Sequence, residues 1–161
     1  MEVSSLADIL ASRQPEVARI CALKLKLSTD DCAHLFLETK KFLWLQARLR
    51  IESKSGAQGL PRGIFMFDAL QPLDEMWHQF ILCTESYMEF CDRFLGGYIH
   101  HQPLSLVEHY GGKGSDDELK ATVRGELVLQ CRYIANHLGP DTLEYWYKGL
   151  ARRYATLCPV N

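Results

Sequence analysis

The apolar positions of this chain recur mostly at spacings of three and four residues, the period of a helix with one buried face. Ser4 or Ser5 can cap a first short helix with Leu6, Ile9 and Leu10 on one side. Pro15 suits the first turn of a second, carrying Val17, Ile20, Cys21 and Leu23. Ser28 and Asp31 stand at capping-box spacing, with Asp in place of the usual Glu. They open a third helix expected to end near Arg50. Its inward positions are Cys32, Leu35, Phe36, Phe42, Leu43 and Leu45, and Lys40, Lys41, Arg48 and Arg50 read as its solvated side.

The pattern then lapses. Glu52 to Gly63 is rich in Ser, Gly and Lys with one Pro, the composition of a loop, and segment 52–67 is expected to be mobile. Ile64 to Phe67 is too short for a strand without a partner and reads as apolar loop packing. Pro72 opens what reads as one long central helix, with Leu73, Met76, Phe80, Cys83, Tyr87, Phe90, Cys91 and Phe94 on its core face. Gly96-Gly97 breaks it, and Pro103 is expected to start a short helix through about Tyr110. Ser115 with Glu118 forms a second capping box, opening a helix with Leu119, Val123, Leu127, Leu129, Cys131 and Ile134. It stops at Gly139, and Pro140-Asp141 begins a last helix with Leu143, Trp146, Tyr147, Leu150 and Tyr154 as its stripe. No period of 20 to 50 residues repeats. The expected fold is all-α: a single helical domain over 1–161, a bundle of about four long helices plus short ones, at least about 60% helical.

Composition adds exclusions. Hydrophobic residues make up 47% of the 161 positions and charged residues 24%, with a formal net charge of -2. That balance is globular, and the basic residues form no stripe, so no nucleic-acid partner is expected. No window reaches the length of a membrane span, and the first residues lack the pattern of a signal peptide. The cysteines at 21, 32, 83, 91, 131 and 158 fall in helical patterns without a CxxC pair. They read as reduced thiols of a cytoplasmic protein, with Cys21, Cys83, Cys91 and Cys131 mostly buried.

Candidate chemistry concentrates between Leu73 and Pro103. Asp74 and His78 stand at i and i+4 and are therefore neighbours one turn apart. Such a pair can hold a divalent metal, can be a hydrogen-bonded couple in which the carboxylate fixes the imidazole tautomer, or can be an exposed pair near a helix start. His100 and His101 are further candidate ligands. In a strand-like segment adjacent residues point to opposite sides, so at most one of them should face a given site. If the central helix is continuous, five residues from Leu95 span at most roughly 17 Å against about 25 Å back to His78. A site joining Asp74, His78, His100 and His101 then needs an extended return or an earlier end to the helix. Cys91 lies thirteen residues of helix from His78, roughly 20 Å, and on the apolar face, so it reads as an inert thiol. Trp77 reads as a core anchor. There is no nucleophile elbow, P-loop, dinucleotide fingerprint or HExxH, so no reaction follows.

The run Asp74-x-x-Trp77-His78, then Tyr87-x-x-Phe90-Cys91, then Gly96 and His100-His101-x-Pro103, resembles the glycine-rich domain-containing protein-like family, known from plant proteins and small bacterial ones. The likeness covers about thirty residues, and Phe42-Leu43 suits the family's upstream helix. The proline-rich segment that commonly precedes the motif is replaced here by GIFMFDALQP, and the glycine-rich tail is absent. The family carries no agreed reaction. The resemblance implies that Asp74, Trp77, His78, Tyr87, Cys91, His100, His101 and Pro103 serve one local architecture. Two functions follow as expectations: a helical domain holding a divalent metal (Zn, Fe or Mn) at Asp74, His78, His100 and His101, or a non-enzymatic module for a protein partner in which the motif is structural. For the second, the surface would be the 52–63 loop with an exposed Phe65-Phe67 edge.

Overall fold

The organising element is a single 26-residue helix, α3 (Thr29–Lys54), around which the shorter helices α1 (Leu6–Ala11) and α2 (Pro15–Leu25) pack. The structure is a computed structural model and describes residues 2–101 and 115–158. The expected short helix after Pro103 lies outside the described residues. The start of α3 is set by Ser28, whose Oγ accepts the Asp31 N–H at 3.1 Å while its hydroxyl donates to the Asp31 carboxylate at 2.8 Å. No Gly or Pro interrupts the next 26 residues, about 39 Å of helix. Leu35, Phe42, Leu43, Leu45 and Ala47 are all fully buried. A helix that is apolar on several sides is one that other elements surround.

Two residues expected on its solvated side are placed otherwise. Lys40 is only 2% exposed, and its ammonium donates to the Ser12 carbonyl at 2.7 Å, at the end of α1. Its ammonium lies over two rings, with Nζ 4.7 Å from the Phe36 ring centre and 6.0 Å from that of Phe90. Arg50 reaches from α3 to carbonyls of a distant segment described below. The helix also runs four residues past the expected end. Glu52 belongs to it, accepting from the Tyr133 hydroxyl at 3.0 Å and from Arg48 at 2.9 Å, with the His137 Nε2 at 3.2 Å.

The connection that follows is stitched by side-chain amides. Gln46 donates to the Ile64 carbonyl at 3.0 Å, and buried Gln130 exchanges two hydrogen bonds with the Phe65 backbone at 2.8 and 3.0 Å. Ile64 is buried, the expected apolar loop packing, and Phe65 and Phe67 are half-buried rather than an exposed edge. A 3₁₀ turn at Asp68–Leu70 leads into α4 (Gln71–Leu82).

The central helix is not continuous. α4 ends at Leu82, and α5 (Thr84–Phe94) begins after Cys83, whose φ of -83° and ψ of 62° are not helical. The Cys83 N–H bonds the Phe80 carbonyl at 3.0 Å, and its own carbonyl accepts the Tyr87 N–H at 2.9 Å. The turn lets both helices present aromatics to one another: Phe80 lies 5.1 Å from Tyr87 and 5.3 Å from Phe90, ring centre to ring centre, both edge-on.

The capping box at Ser115 forms as the sequence predicts and opens α6 (Asp116–Leu138). Gly139, at φ +86°, reverses the chain into α7 (Pro140–Glu144). A five-residue π turn, Tyr145–Gly149, separates it from α8 (Leu150–Arg153). Trp146 in that turn is fully buried and donates to Glu38 on α3 at 2.7 Å. Among the described residues there is no strand, and no helix is long and apolar enough to cross a membrane. All six cysteines are free. Cys21, Cys32 and Cys91 are buried, while Cys83 and Cys131, expected to be buried, are half-buried. Cys83 occupies the helix break and Cys131 the less covered side of α6.

Candidate metal centre

Asp74 and His78 lie on the first turns of α4, where Pro72 stands in the first turn and Leu73, Met76, Trp77 and Phe80 face the core. That inward stripe leaves Asp74 and His78 together on the less buried side, with His78 Nδ1 3.4 Å from Asp74 Oδ2. The third member arrives from a distant part of the chain. His101 Nε2 lies 2.8 Å from Asp74 Oδ1, and its ring centre is 4.2 Å from that of His78 and 4.4 Å from Trp77. One ligand atom from each of Asp74, His78 and His101 falls within 4.8 Å of the others, and no other such group of three occurs among the described residues.

The break at Cys83 makes this meeting geometrically accessible. The 25 Å span expected between the end of the helix and His78 assumes a continuous rod. With α5 turned back on α4, the segment after α5 passes the start of α4 instead. Gly96 at φ +66° takes the chain out of α5 while the Gly97 N–H still bonds the Cys91 carbonyl at 3.2 Å. Three contacts then fix the returning segment. Arg50 on α3 donates to the carbonyls of Leu95 at 2.7 Å and Tyr98 at 3.0 Å. The buried Tyr87 hydroxyl donates to the Ile99 carbonyl at 2.6 Å and accepts the Trp77 indole N–H at 3.0 Å. This Trp77–Tyr87–Ile99 relay ties α4, α5 and the return together two residues before His101.

The adjacent histidines diverge. His101 is held inward with its side chain 13% exposed, whereas His100 is exposed and packs edge-on against Tyr98 at 4.8 Å. His100 therefore stands apart from the Asp74 group. Cys91 is fully buried, and burial raises its thiol above the ordinary cysteine range, the inert state expected from its apolar face. Trp77 is a core anchor, 5.5 Å from Phe42, and also the wall against which His101 rests. Burial likewise keeps the Tyr87 phenol protonated. Pro103 lies outside the described residues. Arg50 is the site-supporting residue missed in the sequence. Its signal was faint: a single basic residue near the end of a helix, five positions after buried Leu45.

Donor spacing decides what this group can do. Metal–ligand bonds of about 2.1 Å place neighbouring donors about 3.0 Å apart in octahedral geometry and about 3.4 Å apart in tetrahedral geometry. His101 Nε2 stands 2.8 Å from Asp74 Oδ1 and His78 Nδ1 3.4 Å from Oδ2, the carboxylate's other oxygen, and one donor atom from each of the three residues lies within 4.8 Å of the others. Burial is graded across the group: Asp74 and His101 are 15% and 13% exposed, His78 44%. The inner side is closed by Trp77 and the outer side opens at His78. A cleft of about 230 Å³ between α2 and α5, lined by Arg13, Gln14, Glu89 and Arg93 among others, shares no residue with it.

Compared with known proteins, residues 13–133, about three quarters of the chain, match the model of the UCP032817-like family, an uncharacterised one. That span takes in the whole Asp74–His101 arrangement. No curated protein and no solved structure matches.

Proposed function

The chain belongs to the UCP032817-like family, and on that footing we propose that it is a helical divalent-metal protein whose ion is held by Asp74, His78 and His101. The observation that carries this reading is the convergence of one carboxylate and two imidazoles, with one donor atom from each within 4.8 Å of the others. One of these donors comes from 27 residues away. The mixed oxygen and nitrogen set suits Zn, Fe or Mn. The family match spans all three residues but, the family being uncharacterised, assigns them no role. His100 is outside the proposed set.

Elemental analysis of untagged protein, with Asp74→Asn and His101→Ala alongside, tests the reading. The expected result is about one Zn, Fe or Mn per chain in the parent and a loss of at least tenfold in affinity in either variant. Metal-free protein that binds none of these ions on addition would overturn it.

A second reading rests on the 2.8 Å Asp74–His101 contact itself, which is a hydrogen bond without any ion. In that case the motif is structural, fastening the return segment to α4 in a module that works through a protein partner. Asp74→Asn would then lower thermal stability with no metal present. The metal reading requires the larger stability difference to appear only in the loaded protein.

A further inference from the structure

Resting on the metal reading above, we infer that the ion keeps an open coordination arc beside His78 and binds a small anion there. Three observations converge on this. The described residues supply three donors, while four- to six-coordinate ions leave between one and three positions over. Those positions have a direction: Trp77 packs against His101 at 4.4 Å and closes the inner side, whereas the side chain of His78 is 44% exposed. The third observation is charge. A divalent ion with one carboxylate and two neutral imidazoles carries a net charge of +1, so the open arc attracts an anion. The arc shares no residue with the cleft between α2 and α5, and with Trp77 closing its inner side it suits a ligand whose recognised part is one small anionic head. This is also the chemistry of a catalytic rather than a closed structural site, in which all positions are taken by protein.

The full-length chain loaded with Co(II) provides the test, because the visible absorption of Co(II) reports both coordination number and ligand exchange. Azide is the probe anion and acetate the competitor. The expected result is a saturable change in the Co(II) bands with one azide per ion, reversed by acetate. The change should be lost in His101→Ala, where the site itself is lost, and retained in His100→Ala. Failure of Co(II) to bind at all would count against the metal reading. Co(II) that binds but ignores azide would leave that reading standing and overturn the open arc, since every position is then filled. An azide response that acetate cannot compete away would overturn exchangeable anion binding at the arc, and one that survives in His101→Ala would place the response at another site and overturn the proposal. His78 is half exposed, so His78→Ala should fold even if His101→Ala does not, and it must also weaken the azide response at least tenfold.

Discussion

Tyr87 illustrates how one hydroxyl can hold a site it never touches. It takes the indole N–H of Trp77 and gives its proton to the Ile99 carbonyl, all buried. Tyr87→Phe would keep the ring and its edge contact with Phe80 but leave a buried donor and a buried acceptor without partners. The expected cost is about 1–3 kcal/mol in denaturant unfolding, and on the metal reading the ion would be held less tightly, because His101 lies two residues beyond Ile99. A variant with wild-type stability would remove the relay from the account. Lys40 poses the opposite case, a charge buried without a carboxylate beside it. Desolvation pulls its ammonium down to about 8 from an ordinary 10.5. The unfolded chain therefore binds more protons between those values, so the Lys40 contribution to stability rises with pH from about 8 to 10.5. Lys40→Met should be more stable than the parent at pH 7, and the difference should shrink as pH passes through that window. Paired urea titrations at pH 7 and 10 check this, and comparing the two proteins cancels the opposing ionisation of the buried thiols. Cys21 and Cys32 are pushed up to about 12 and about 11 by burial and favour the folded state less as pH rises.

At the scale of elements, the decisive feature is the turn at Cys83. It was not legible because the apolar residues stay in helical register through it: Phe80, Cys83, Tyr87 and Phe90 would line one face of an unbroken helix equally well. No Gly or Pro marks the break, and tertiary packing of Phe80 against Tyr87 and Phe90 accompanies it. The caps at Ser5, Ser28 and Ser115 were legible because each is a local interaction within three residues. So was the Asp74–His78 pair, since its spacing alone places it on one side of α4. The arrival of His101, and the inward turn of Lys40 and Arg50, depended on partners 27, 28 and 45 residues away that no local pattern encodes. Arg50 offers the sharpest test of the turned-back arrangement. Arg50→Met keeps the apolar stem and loses the donors to Leu95 and Tyr98. We expect a stability loss of about 1–3 kcal/mol and faster amide exchange at residues 95–101, with α1 and α2 unchanged. Uniformly faster exchange across the chain would show that Arg50 supports the core rather than the return segment.

Taken whole, the molecule gathers several of its polar ties on α3, where separate parts of the chain meet. Glu38 takes the indole of Trp146, and Glu52 gathers Tyr133, Arg48 and His137 from α6 and its own last turns. The Asp74 group has a different character, because the residues it joins are 27 apart along one stretch of chain. An ion held by Asp74, His78 and His101 would be a removable staple. By the loop-entropy relation used for covalent cross-links, closing a span of that length restricts the unfolded chain by up to about 3.5 kcal/mol at 25 °C. The stapled region comprises α4, α5 and the returning segment, and leaves α6 to α8 outside the loop. Chelation should therefore loosen one hairpin rather than lower the stability of every element equally. Hydrogen exchange with and without EDTA would reveal it as lost protection confined to residues 71–101. A cell that limits the supply of the ion would then be setting how firmly this hairpin is closed, and metal availability would act on the protein as a mechanical variable.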